Sequence, residues 1–245
     1  MPGINRDGVR IAYEVHGTSK HDADSSRVPL LLTHGFGESA RMWTPNVAAL
    51  SAGRPVITWD MRGHGDSDSP DDQSLYTQAA CLDDMAALLD ATGAERAVLG
   101  GLSLGGYLSL AFRLAHPHRV TALLLFDTGP GFRNDDARRR WNEQAMATGD
   151  RLERSGPAAL GRARAARGML TQSGADVIES LPSVDVPTLV LVGADDKPFI
   201  GAANYVAGKV PGASLVTIPD AGHTANMDQP EAFNEAVTAF LAGLD

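Results

Sequence analysis

The chain has 245 residues, of which 43% are hydrophobic and 21% charged; this length and balance indicate one large domain, or one domain with an insertion, and exclude a disordered or collagen-like chain. The net charge of −9 argues against nucleic acid or an anionic membrane as partner, because binding phosphates needs a clustered basic surface. The longest apolar runs fall short of the roughly 18 residues that suggest a membrane span, the first residues show no apolar signal core, and a single cysteine, Cys81, allows no internal disulfide or metal cluster, so a cytoplasmic protein is expected.

Asp7-Gly8 reads as a hairpin turn. After it, Val9, Ile11, Tyr13 and Val15 alternate with Arg10, Ala12 and Glu14, as in a half-buried antiparallel strand. Beyond the polar loop Thr18 to Arg27 the pattern changes to short continuous apolar runs: Leu30 to Leu32, Val56 to Trp59, Ala97 to Leu99, Ala122 to Phe126, Leu189 to Val192 and Leu215 to Ile218. Such runs predict strands buried on both faces. Helical stretches alternate with them, notably Leu75 to Ala91, Leu104 to Ala115 and Pro230 to Leu241, which predicts an α/β fold with a mostly parallel central sheet flanked by helices. Residues 131–184 break the rhythm. They hold no strand-like run, Trp141, Ala145, Met146 and Leu152 fall at roughly helical spacing, and nine arginines face seven acids. A helical insertion is expected there, with its charges on solvated faces.

Gly101-Leu102-Ser103-Leu104-Gly105 lies between a predicted strand and a predicted helix. A serine nucleophile on a sharp strand-to-helix turn needs residues without side chains two before and two after it, and the helix amides beyond it point to where an oxyanion forms. A serine hydroxyl also needs a base, held in turn by a carboxylate. His223 follows the last predicted strand, at the same sheet edge as Ser103. His16, His21, His116 and His118 are expected to be solvated or capping, and His34 and His64, in glycine turns after strands, to orient backbone. For the acid, Asp195, Asp196 and Asp127 all follow strand ends.

Together with His34-Gly35-Phe36-Gly37, Asp60-Met61-Arg62-Gly63-His64-Gly65-Asp66-Ser67 and Gly222-His223 followed by Pro230-Glu231-Ala232-Phe233, these motifs resemble the α/β-hydrolase superfamily over essentially the whole chain. The resemblance implies a core of 1–130 and 185–245 with a helical lid, 131–184, between the sixth and seventh strands. It selects Asp196 as the acid, the amides of Phe36 and Leu104 as the oxyanion hole, and a structural turn at Asp60, Arg62 and Ser67. Phe36, Trp43, Phe132, Trp141, Met146 and Phe199 are the expected apolar walls of the substrate pocket.

The function so implied is a cofactor-independent serine carboxylesterase, without metal, acting on a small or medium ester. Two other readings stand beside it: an enol-lactonase or carbon–carbon bond hydrolase of aromatic degradation, and a hydrolase-fold binding protein with little turnover. A perhydrolase is disfavoured, since relatives of that kind usually carry Met where Leu104 stands.

Overall fold

The first two strands, β1 (Gly3–Arg6) and β2 (Val9–His16), pair antiparallel through the Asp7-Gly8 turn, whose residues have φ of 52° and 84°. Positive φ at both central positions is what a tight hairpin turn with the strands' own twist requires. The structure is a computed structural model that describes residues 1–17 and 27–244; His21 and residues 18–26 of the polar loop lie outside the described residues.

The remaining strands are β3 (Leu30–Thr33), β4 (Val56–Trp59), β5 (Ala97–Leu102), β6 (Val120–Phe126), β7 (Thr188–Gly193) and β8 (Ser214–Ile218). They form one sheet in the order β1-β2-β4-β3-β5-β6-β7-β8, parallel from β4 onward. The continuous apolar runs follow from burial on both faces. In β6, Leu123 and Leu125 enter one core layer while Leu124 and Phe126 enter the other. The first layer holds Leu88 of α2 (Gln78–Ala91), Phe112 of α3 (Leu104–Ala115) and Val206 of α7 (Lys197–Lys209); the second holds Leu50 of α1 (Thr44–Leu50), Ala225 of α8 (Ala225–Asp228) and Val237 of α9 (Pro230–Ala242).

Strand β8 departs from this rule, with Leu215 38% exposed, because it is the sheet's edge and lacks a full covering layer. Helix α2 begins three residues later than its apolar pattern suggests. Thr77 caps it by accepting the Ala80 amide at 3.0 Å, a stronger start signal than hydrophobic spacing.

Between β6 and β7 lie α4 (Asp135–Arg154), α5 (Leu160–Met169) and α6 (Asp176–Ser180), with no strand among the described residues there. Ala165 and Met169 of α5 are fully buried in the first core layer, so this helical segment is seated on the sheet domain. Among the described residues no helix is long and apolar enough to cross a membrane. Since the order reverses around β3, with β4 on one side and β5 on the other, the crevice at the strands' C-terminal ends opens there.

Candidate active site

Ser103 joins β5 to α3 with φ 53° and ψ −114°, a region that costs a non-glycine residue about 1–3 kcal/mol. The surroundings hold it there. Its amide donates to the Phe126 carbonyl at 2.9 Å, and its own carbonyl accepts the Tyr107 amide at 3.1 Å and the Thr128 hydroxyl at 2.6 Å. A Cβ placed on Gly101 would stand 2.2 Å from the Gly105 carbonyl carbon, and one on Gly105 would stand 2.2 Å from the Thr33 oxygen. Only bare Cα atoms let the turn close this tightly.

The end of β7 separates the two adjacent aspartates. Asp195 points to solvent, whereas Asp196 is 4% exposed and its Oδ2 accepts from His223 Nδ1 at 2.8 Å. With Nδ1 donating to a carboxylate, Nε2 is the ring nitrogen left to take a proton. The His223 ring lies on Phe199 with centroids 4.6 Å apart. Ser103 Oγ makes no hydrogen bond to His223; a serine–histidine contact of this type is often long in the absence of a ligand.

Phe36 lies on the loop after β3. A Cβ on its neighbour Gly35 would stand 3.7 Å from Ser103 Cβ, so this loop passes directly beside the serine. Two buried histidines fix it. His34 Nε2 accepts the Met61 amide at 3.0 Å while Nδ1 donates to the Gly35 carbonyl at 2.7 Å. His64 Nε2 accepts the Gly37 amide at 3.2 Å while Nδ1 donates to the Arg62 carbonyl at 3.0 Å. Arg62 is anchored in turn by a paired contact to Asp84, at 2.6 and 2.7 Å, and Asp60 accepts the amides of Ala40 and Asp66. Among the described residues the amides of Phe36 and Leu104 have no acceptor.

Burial lowers His34 to about 4, and burial reinforced by the facing His34 lowers His64 to about 3. Both histidines are therefore neutral when folded. Stability from this arrangement is fully present above the unfolded value near 6.5 and is lost as pH falls from there toward the folded values. Melting temperature is thus expected to drop increasingly below about pH 6.5. His64→Gln, which keeps a donor and an acceptor without titrating, should show a shallower fall between pH 6.5 and 4.5 by calorimetry, at the cost of some stability at neutral pH. Parallel curves for the two proteins would contradict this.

A cavity of about 260 Å³ opens at Ser103 and Leu104, walled by Phe132, Trp141, Phe199, Tyr107, Met169 and Leu170, with the polar groups of Gln78, Thr128 and Gln172. Of the six expected walls, Phe132, Trp141 and Phe199 line this cavity. Trp43 is not one of them: it is fully buried in the second core layer against Phe126 and Phe233, because the chain after the Phe36 loop turns over the opposite face of the sheet. Met146 is 45% exposed and lines a separate open groove along α4. The Phe36 ring stands edge-on to His64 at 5.5 Å and does not line the cavity.

A family profile described as alpha/beta hydrolase fold matches residues 28–160. The chain belongs to the α/β-hydrolase fold family. It is 31% identical to a candidate carbamate hydrolase, RutD, of Caulobacter sp. (strain K31), over 94% of this chain and 95% of that protein. It is 26% identical to 3-oxoadipate enol-lactonase 1 of Acinetobacter baylyi, over 98% and 96%. A solved thermophilic esterase from Thermogutta terrifontis superposes with a TM-score of 0.79 at 31% identity, covering 99% of this chain and 97% of that one. The protein is thus a hydrolase of the α/β fold.

Several lining residues of this hydrolase escape sequence reasoning. Gln78 and Tyr107 sit on helices that pack the core, and Gln172 lies in the segment after α5. For Gln78 and Tyr107 the only sequence signal is a polar atom on a helix that packs the core, and Gln172, outside any helix, carries none. In the structure Tyr107 Oη reaches Gln78 at 3.4 Å, and Gln172 Oε1 accepts the Phe132 amide at 3.2 Å, so these side chains both line the cavity and shape it.

Proposed function

We propose that this hydrolase cleaves a small neutral carboxylic ester through an acyl-enzyme on Ser103. The observation that carries the reading is the wall beside Ser103: among the described residues lining the cavity none is charged. Burying an unpaired carboxylate in such an apolar space is costly, so the pocket favours an uncharged acyl group.

In this mechanism Ser103 Oγ attacks the ester carbonyl as His223 Nε2 takes its proton. Asp196 holds the imidazole in the tautomer that leaves Nε2 free and stabilises the cation that forms. The amides of Phe36 and Leu104 receive the tetrahedral oxyanion, aided by the N-terminal end of α3. His223 returns the proton to the departing alcohol and then activates water, which releases the acid. No cofactor or metal takes part in these steps. The helices between β6 and β7 serve as a lid, contributing Trp141, Met169 and Leu170 to the pocket. Cytoplasmic residence and a small-molecule partner go with the same reading.

The lactonase reading predicts a cationic partner for a substrate carboxylate, as the very name 3-oxoadipate implies. Five of the nine arginines of the lid segment pair with carboxylates: Arg133 with Glu179, Arg138 with Asp135, Arg139 with Asp136, Arg164 with Asp71, and Arg167 with Asp150 and Glu153. Arg162 is the one whose positive charge acts on His64, so it is the sharpest test. Turnover of p-nitrophenyl acetate and butyrate is expected, with Arg162→Ala changing KM for these esters by less than about twofold. Turnover confined to a carboxylated lactone, with a tenfold or larger rise in its KM on Arg162→Ala, would move the assignment to the lactonase class. Binding without turnover of any ester or lactone would favour a binding protein.

A further inference from the structure

Asp127 follows β6, is fully buried, and has φ 44°, an uncommon conformation for a non-glycine residue. One carboxyl oxygen is engaged by the backbone, Oδ1 accepting the Gly193 amide at 2.8 Å. The other, Oδ2, is buried with no hydrogen-bond donor to accept from. Gly193, whose amide Asp127 holds, accepts the Asp196 amide on its own carbonyl at 3.1 Å, which brings the two carboxyls together, and Asp196 Oδ2 is already committed to His223.

Two ionised carboxylates in contact away from water repel each other, and an acceptor facing an acceptor satisfies neither. A single proton on Asp127 Oδ2 resolves both conflicts. We propose that Asp127 is a positioning residue of this active site, carried in the neutral acid form, whose Oδ2–H donates to the Asp196 carboxylate and holds it in register with His223 Nδ1. This rests on the triad reading above and extends it to four groups: Ser103, His223, Asp196 and Asp127. It also removes Asp127 from contention as the ionised acid.

The electrostatics agree in direction. Burial, then the negative charge of Asp196, push Asp127 up to about 8, against the pull of the Gly193 amide that bonds Oδ1 and, least of all, of the Ala225 amide, which lies near without forming a hydrogen bond. Among the described residues the charged neighbour acting on Asp127 is Asp196, with His223 behind it. An acid whose folded value is raised contributes stability that is complete below its unfolded value near 4 and lost as pH rises through the folded value.

The test compares Asp127→Asn with Asp127→Leu. An asparagine amide can donate to Asp196 while its carbonyl accepts from Gly193, so kcat at pH 7 should stay within about threefold of wild type, whereas leucine, which offers neither bond, should lose roughly tenfold or more. Wild-type kcat/KM should bend above about pH 8 as Asp127 ionises, and Asp127→Asn should lack that bend. Independently of activity, the melting temperature of Asp127→Asn relative to wild type should rise between pH 5 and pH 9. Each named failure overturns the proposal: a loss of about 10⁴ in Asp127→Asn, which would make Asp127 the ionised acid; superposable pH profiles; or a melting-temperature difference that does not change with pH. Should Asp127→Leu fail to fold, the asparagine variant alone still decides. If ester turnover were absent, the triad reading would fall while the melting comparison still judged the carboxyl pair.

Discussion

Ser103→Ala is expected to lower kcat for a neutral ester by on the order of 10⁶, leaving a residual rate of roughly 10³–10⁴ over water from the oxyanion hole and binding. The size of the loss follows from what the serine alone supplies. Without its hydroxyl no acyl-enzyme forms, and His223 and Asp196 then have nothing to activate. The fold should tolerate the change, because the strained turn is held by the Ser103 backbone through Phe126, Tyr107 and Thr128 and not by the hydroxyl. Stopped-assay kinetics with circular dichroism as a folding control read both halves of this expectation. A variant that folds and retains more than about 1% of wild-type kcat would remove Ser103 from the nucleophile's role.

Asp196→Asn is expected to cost about 10⁴ in kcat at neutral pH. The amide nitrogen would donate toward His223 Nδ1, favouring the tautomer that places the proton on Nε2, the atom that must accept one from Ser103. Asp195→Asn should cost only a few-fold, since that side chain is exposed and only its backbone is engaged, the amide donating to the Ala221 carbonyl at 2.8 Å. Equal, small effects at both positions would return the acid role to Asp127 and contradict the neutral form argued for it. A larger loss at Asp195 would contradict the geometry at the end of β7.

Much of the architecture is legible in the sequence, and the physical reasons are specific. Strands buried on both faces are apolar at nearly every position, so β3 to β7 announce themselves as short apolar runs broken only by single threonines such as Thr58 and Thr121. The turn at Ser103 is equally visible, because a Cβ on either of its glycines would stand 2.2 Å from backbone atoms. Less legible is which face of an element meets the site. Trp141 and Met146 both belong to the apolar pattern of α4, yet five residues place them about 140° apart around the helix, so one lines the cavity and the other faces solvent. Trp43 belongs to the core beside Phe126 and Phe233 because the chain reverses over the sheet after the Phe36 loop, a path that local pattern does not encode. Asp127 shows the same limit in chemistry. Its place after a strand end is readable, but its ionisation depends on Asp196, nearly seventy residues away and adjacent only in the folded sheet.

A covalent ester hydrolase that works through Ser103 should be labelled there by a fluorophosphonate, read by intact-protein and peptide mass spectrometry. A single adduct is expected on the wild type, mapped to the peptide containing Ser103, lost from Ser103→Ala and formed far more slowly in Asp196→Asn. An adduct that persists in Ser103→Ala, or a wild-type protein that turns over esters yet takes no label at Ser103, would contradict this.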